Sequence, residues 1–429
     1  VSPTETFSLL FVLILIILVT GRYHRSVAAL LGAFLTILFG VEYGLLNSID
    51  LVGELVGLID LNTVLLVVGV MILAEAVARS GFFEFIGLIM AKAVGGVFSR
   101  VSIAFVVLAI VFSSVISNIT AMIIMGTLTV SLAKELGTDP TQTILNEAVA
   151  TNIGGLALMI SSIPNLIVAA QLKVSFIDFL SVSLPLAVIL SLVSIPILAR
   201  HTKGEAGREQ HAQVVIDPWS AIENKGLFYR AAAVFIAVVI LFVFADSLGI
   251  PLGLIAMGGA TAMLVLGGQD PESIFSGIDW GTVFFLASFY IVVGGLKLSG
   301  VIASMATGII EISSLSHAIT PILGVWSSGI PSAVVDNIPM TLTLIPTMEH
   351  VSQITGFPLA VLGWAIVFGA NLGGNLTPIG SAANIVALGI LKKQGKSVGW
   401  SGWFRRFGLL TMLQLMIATA YVILLSMIL

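Results

Sequence analysis

Asparagine, serine and threonine recur beside glycine and proline at four places in an otherwise apolar chain, and each could hold a small ion or polar solute. Two are long. Asn152-Ile153-Gly154-Gly155 runs on to Ser161-Ser162-Ile163-Pro164-Asn165, and Asn371-Leu372-Gly373-Gly374-Asn375 runs on to Thr377-Pro378-Ile379-Gly380-Ser381 and Asn384. Two are short, Ser117-Asn118-Ile119-Thr120 and Asp336-Asn337-Ile338-Pro339, each between apolar arms. Glycine lets a helix unwind and proline removes a donor, so carbonyls come free. Together with Asn, Ser and Thr oxygens they are ligands for a small cation, while half-helix N-termini offer partial positive charge to an anion. Backbone of this kind is tolerated at membrane depth only where protein or a water-filled cavity satisfies it. A lone Gly or Pro is often a simple kink, but four matched clusters favour one substrate site flanked by ion sites.

Asp336 is the sharpest single residue. A carboxylate between two apolar arms is costly inside a membrane and marks a proton carrier or cation ligand. The plainer alternative is an N-cap for the apolar helical run starting at Ile338-Pro339, and the two roles are compatible. Asn118, Asp336 and Asn337 are the candidate surroundings of a sodium ion. Glu75 is read as the partner of Arg79 one turn later, and Glu147 as a solvated residue at the interface. The five histidines (24, 201, 211, 317 and 350) lie in connections or near span ends without metal-ligand spacing, and the chain has no cysteine. No organic cofactor is implied, and no His stands in the expected core to serve a hydrolase.

The elements that must position these residues are membrane helices. The chain has 429 residues, 58% hydrophobic and 9% charged, with mean hydropathy +1.14. A soluble protein carries roughly 25% charged residues, so most of this surface faces lipid. A net charge of −4 is too small to suggest a polyionic partner such as nucleic acid. Spans of roughly 20 residues are expected near 6–21, 26–43, 61–79, 141–170, 174–199, 228–246, 251–267, 280–298, 357–391 and 404–429. The first is read as a retained span and not a cleaved signal. Residues 101–135 and 319–349 read as re-entrant hairpins, 82–97 and 301–316 as helices lying in the interface, and 200–227 as a polar linker. Arg22, Arg25, Arg79, Lys92, Arg100, the linker's basic residues and Lys392 to Arg406 then share one side, taken as cytoplasmic, with both termini outside. The first hairpin enters from the cytoplasm and the second from outside.

One constant offset, the one that carries Asp60 onto Asp279, registers the halves without a gap. Under it Thr63, Ser80 and Gly81 fall on Thr282, Ser299 and Gly300; Asn118 falls on Asn337; Asn152, Gly154, Gly155 and Asn165 fall on Asn371, Gly373, Gly374 and Asn384. Shared hydrophobicity explains aligned Leu and Val but not aligned Asn. The expected fold is therefore an all-α polytopic membrane protein, an inverted repeat of two five-span units (1–199 and 228–429), each with a hairpin and a broken helix. Where charge would matter the halves differ, Ser117 standing opposite Asp336.

The tracts Ala150–Asn165 and Gly369–Asn384, with the paired hairpin tips, resemble the ion transporter superfamily: arsenite efflux permeases (ArsB), NhaD sodium/proton antiporters, the P protein and divalent anion–sodium symporters. The resemblance covers nearly the whole chain. It implies a homodimer working as an elevator in a prokaryotic plasma membrane. Divalent anion symporters carry Ser-Asn-Thr at both tips. Here that motif is interrupted by Ile119 and the second tip begins with Asp336, closer to the antiporter and P-protein branch, although Ser161-Ser162 stands where that branch usually has Gly-Asp. Sodium/proton antiport is the leading expectation, with sodium or protons as coupling ions. Proton-coupled efflux of arsenite or another small oxyacid comes next, and sodium-coupled anion uptake, which Asp336 would oppose, comes last.

Overall fold

A computed structural model describes residues 2–95, 97–203, 217–313 and 319–428. The linker's central stretch with Arg208 and His211, and the short segment with His317, lie outside the described residues. Everything regular among the described residues is helical. Ten of the described helices are long and apolar enough to cross a bilayer, and side chains such as Leu9, Leu192 and Leu409, 67%, 68% and 85% exposed, face outward where lipid would cover them.

Local sequence sets the helix ends. The first helix, α1 (Pro3–Thr20), starts in a reciprocal cap between Ser2 and Glu5 and stops at Gly21 in the left-handed region. Next come α2 (Arg25–Glu42), the short α3 (Leu51–Leu58) and α4 (Leu61–Ala78). In the second half α11 (Lys225–Leu248), α12 (Leu252–Gly267), the short α13 (Pro271–Gly277) and α14 (Trp280–Leu298) follow the same order. The aligned Asp-x-x-Thr pairs prove to be N-caps: Asp60 accepts from the Thr63 amide at 3.1 Å and Asp279 from the Thr282 amide at 3.0 Å. Helix α2 packs on α14, and α4 on α12, so these eight helices form one bloc.

Two further helices lie between blocs, α5 (Phe82–Ala93) and α15 (Val301–Ser313). The second bloc begins with α6 (Phe98–Val115) and α7 (Asn118–Leu136), joined only by Ile116 and Ser117 and packed on each other. Each arm is long enough to cross a membrane by itself, longer than the 101–135 boundaries imply. The expected span 141–170 is two pieces, α8 (Thr141–Gly154) and α9 (Ile163–Leu172), with one 3-10 turn at Met159–Ser161 between them, and α10 (Phe176–Lys203) follows. The second half repeats this with α16 (Ile319–Ser332), α17 (Asn337–Thr355), α18 (Leu359–Gly373), α19 (Ala382–Lys393) and α20 (Trp400–Leu425). Helices α7 and α17 have the same length, and the offset that aligns the halves carries both ends of one onto both ends of the other. It also carries Ile163, the start of α9, onto Ala382, the start of α19. Helix α7 packs on α19, and α17 on α9, so the two halves interlock.

Candidate ion and substrate site

The two broken helices are held open by asparagine. Asn165 donates its amide to the carbonyls of Gly155 and Leu158, both at 2.8 Å; Asn384 donates to those of Gly374 and Thr377, both at 2.9 Å. These are carbonyls released by the helix breaks, satisfied here by side chains rather than by an ion. Ser161 assists in the first half, donating to Gly155 at 2.7 Å. Gly154 and Gly373 close the first pieces of their helices, where a Cβ would stand 2.1 Å from the Ile110 carbonyl and 1.9 Å from that of Gly329. Both glycines thus admit the adjacent hairpin arm. Thr377 donates to the Ala333 carbonyl beside the second tip.

A chain of amides joins the halves. Asn118 donates to Asn152 at 3.1 Å, Asn152 to Asn375 at 2.7 Å, Asn375 to Gln414 at 3.3 Å, and Gln414 to Ser194 at 2.9 Å. Ser381 also donates to Asn152, at 2.8 Å, and Asn371 donates to Asn165 at 3.0 Å. Low dielectric makes such a network costly to leave half-made. Three oxygens in these clusters are buried without a hydrogen-bond partner: Asn118 Oδ1, Asn371 Oδ1 and Asn384 Oδ1; so is Ser162 Oγ.

Both hairpin tips open onto one cavity of about 360 Å³, lined by Ser117, Asn118 and Thr120 from the first tip and by Asp336 and Asn337 from the second. Ser161, Ser162 and Ser381 line it from the breaks. Asn152, Asn165, Asn371, Asn375 and Asn384 lie behind this wall, fully or nearly fully buried, as supports. Ser117 caps α7 by accepting from the Thr120 amide at 3.2 Å, and Asp336 occupies the equivalent cap of α17, 3.4 Å from the Ile338 amide.

The opposite wall is charged. Arg25, the first residue of α2, donates to Asp336 at 2.7 Å and to Asp279 at 2.8 Å, and also to Thr282. Its guanidinium lies 5.9 Å from the Phe285 ring centre. Glu75, paired with Arg79 at 2.7 Å, and Glu84 complete this side. Burial pushes the Glu84 carboxyl above its ordinary range. Four acidic side chains and two guanidinium groups therefore line the cavity.

Glu147 corrects the expectation of a solvated interfacial residue. It is fully buried and accepts from Thr129 at 2.5 Å, because α8 is wrapped by α6, α7, α10 and α19. The amino-acid sequence alone does not mark Arg25 and Asp279 as site residues, since one reads as a topology-setting charge and the other only as a mark of the repeat. Each is that, and each also faces the cavity. Lack of an equivalent was the available signal for Arg25: the same offset places it on Phe244, 53% exposed.

A family model described as "Citrate transporter" (CitMHS) matches residues 13–369. An uncharacterised transporter of Mycobacterium tuberculosis is 30% identical over 417 residues, 96% of each chain. The human P protein is 26% identical over 466 residues, 89% of this chain and 55% of that one, so the chain spans about half its length. Among solved structures, the YdaH transporter of Alcanivorax borkumensis superposes with TM-score 0.62 at 12% identity, covering 94% of this chain and 98% of that one. MtrF of Neisseria gonorrhoeae, described in terms of a class of antimetabolite efflux pumps, gives 0.64 at 13%, covering 99% and 94%. At these identities the likeness is one of fold.

Proposed function

The chain belongs to the citrate transporter (CitMHS) family of secondary transporters, and we propose that it exchanges a small cation, sodium first, for protons. The observation behind this reading is the tip of the second hairpin, where Asp336 and Asp279 share one guanidinium on the wall of an acidic cavity. Such a site concentrates cations and repels free anions. Asn118 Oδ1 and Ser162 Oγ, both on residues lining the same cavity and both without a partner, supply neutral oxygen ligands. Sodium or a proton at Asp336 would be alternative occupants of one carboxylate.

The moving unit in this reading is the bloc of hairpins and broken helices (α6–α10 and α16–α20), sliding past α1–α4 and α11–α14. The two halves stand inverted within the membrane, and two copies form a homodimer, as the superfamily resemblance implies. Support comes from the matching bounds of α7 and α17 and from the reciprocal packing of α7 on α19 and α17 on α9.

One observation favours a second reading, carboxylate symport. Arg25 offsets the charge of Asp336, which weakens the repulsion expected for a dicarboxylate, and the family model is described by citrate. Proteoliposomes with an internal pH reporter separate the two. A sodium pulse should move protons in the antiport reading. Uptake of radiolabelled citrate, with no sodium-driven proton movement, would replace it with the symport reading.

A further inference from the structure

Arg25 and Asp336 belong to different blocs. Arg25 opens α2, which packs on α14, the helix capped by Asp279. Asp336 caps α17 at the tip of the second hairpin. The ion pairs at 2.7 and 2.8 Å therefore join the carboxylate of one bloc to a charge cluster of the other. Arg25 is also well anchored without Asp336, through Asp279, Thr282 and the face of Phe285. When the blocs slide apart, the guanidinium stays behind.

The electrostatic consequence follows. A carboxylate stripped of its partner inside a membrane protein is costly unless something neutralises it. Asp336 can leave Arg25 only if something that travels with it neutralises it, a bound cation or a proton. We infer that Arg25 is a fixed counterion that occupies the cation's place on Asp336 while the carrier is empty, so that an incoming cation must displace it, while the charge of Asp336 itself forbids the empty carrier to cross. This inference rests on the cation reading above and deepens it by naming the group with which the cation competes. The guanidinium is a competitor of the cargo and positions the carboxylate; it does not ligate the cargo.

The native chain contains no cysteine, so a single thiol reports without background. Ile123 lines the cavity and is 47% exposed. Ile123→Cys would be reconstituted alone and with Arg25→Gln, Arg25→Lys or Asp336→Asn, and labelled with an impermeant maleimide from the side to which the cavity opens. The parent should label fully without sodium at alkaline pH, where protons do not take the cation's place, because the empty carrier is pinned. Asp336→Asn should cut ion-free labelling at least about threefold, since a neutral tip can leave. In Arg25→Gln ion-free labelling should persist, because the carboxylate still forbids crossing. The sodium concentration that half-suppresses labelling should fall about tenfold, the loss of one charge-assisted bond. Arg25→Lys, which keeps the charge, should shift it less.

An unchanged sodium midpoint in Arg25→Gln would overturn the competition. Full ion-free labelling of Asp336→Asn would overturn the pinning. If the parent responds to neither sodium nor lithium, the cation reading fails, and the ion-free comparison of Asp336→Asn with the parent still decides the pinning alone.

Discussion

Asn165 and Asn384 make the same two hydrogen bonds in opposite halves, each reaching back ten and seven residues to carbonyls that its broken helix has released. The helpers differ. Ser161 also donates to Gly155 in the first half, whereas its counterpart in the second half is Gly380, which has no side chain to give. Asn384→Ala should therefore destabilise more than Asn165→Ala. Each orphaned buried carbonyl costs about 1–3 kcal/mol, so the Asn384 variant should show the larger fall in unfolding temperature in detergent. Ser161→Gly combined with Asn165→Ala should close the gap. Equal effects of the two single variants would mean that the staples are not what holds the breaks.

Close packing predicts a second contrast. A Cβ at Gly154 or Gly373 would collide with a backbone carbonyl of the neighbouring hairpin arm, while at Gly389 on α19 it meets nothing within 4 Å. Gly154→Ala and Gly373→Ala should each cost about 1–3 kcal/mol through forced backbone shifts. Gly389→Ala should be neutral or stabilise by up to about 1 kcal/mol, since it only restricts the unfolded chain. Thermal unfolding of the three variants side by side checks this.

Glu84 gives a pH signature. Burial raises its folded pKa above the unfolded value of about 4.3, so folding favours the protonated form. The stability this group allows is complete below the unfolded value and is lost as pH rises through the folded one. Glu84→Gln should unfold like the parent in acid and at a higher temperature than the parent above the folded pKa. A constant difference across that range would assign the effect to packing instead.

Much of this is legible in the amino-acid sequence alone. Asn and Gly that align under a single offset point to the breaks and tips, because apolar composition does not place asparagine in register. What the aligned residues do is not legible there. Asn165 and Asn384 look like ligands, yet their amides serve backbone; Gly154 and Gly373 look like points of unwinding, yet they also admit a neighbouring helix. Arg25 carries two meanings in one dimension, since a basic residue after a span sets topology whether or not it also reaches a site. Only the packing of α2 on α14, and of α14 on α17, brings it within hydrogen-bonding distance of two carboxylates. Glu147 is misplaced for a similar reason: its own helix reads as a polar start, and burial comes from four helices packed around it.

Asp336 is where the account is most exposed. In proteoliposomes carrying an internal pH dye, a sodium pulse should drive proton movement through the parent protein, and Asp336→Asn should reduce that signal to the protein-free background. Sodium-driven proton flux that survives intact in Asp336→Asn, or its absence from the parent under both sodium and lithium, would contradict it.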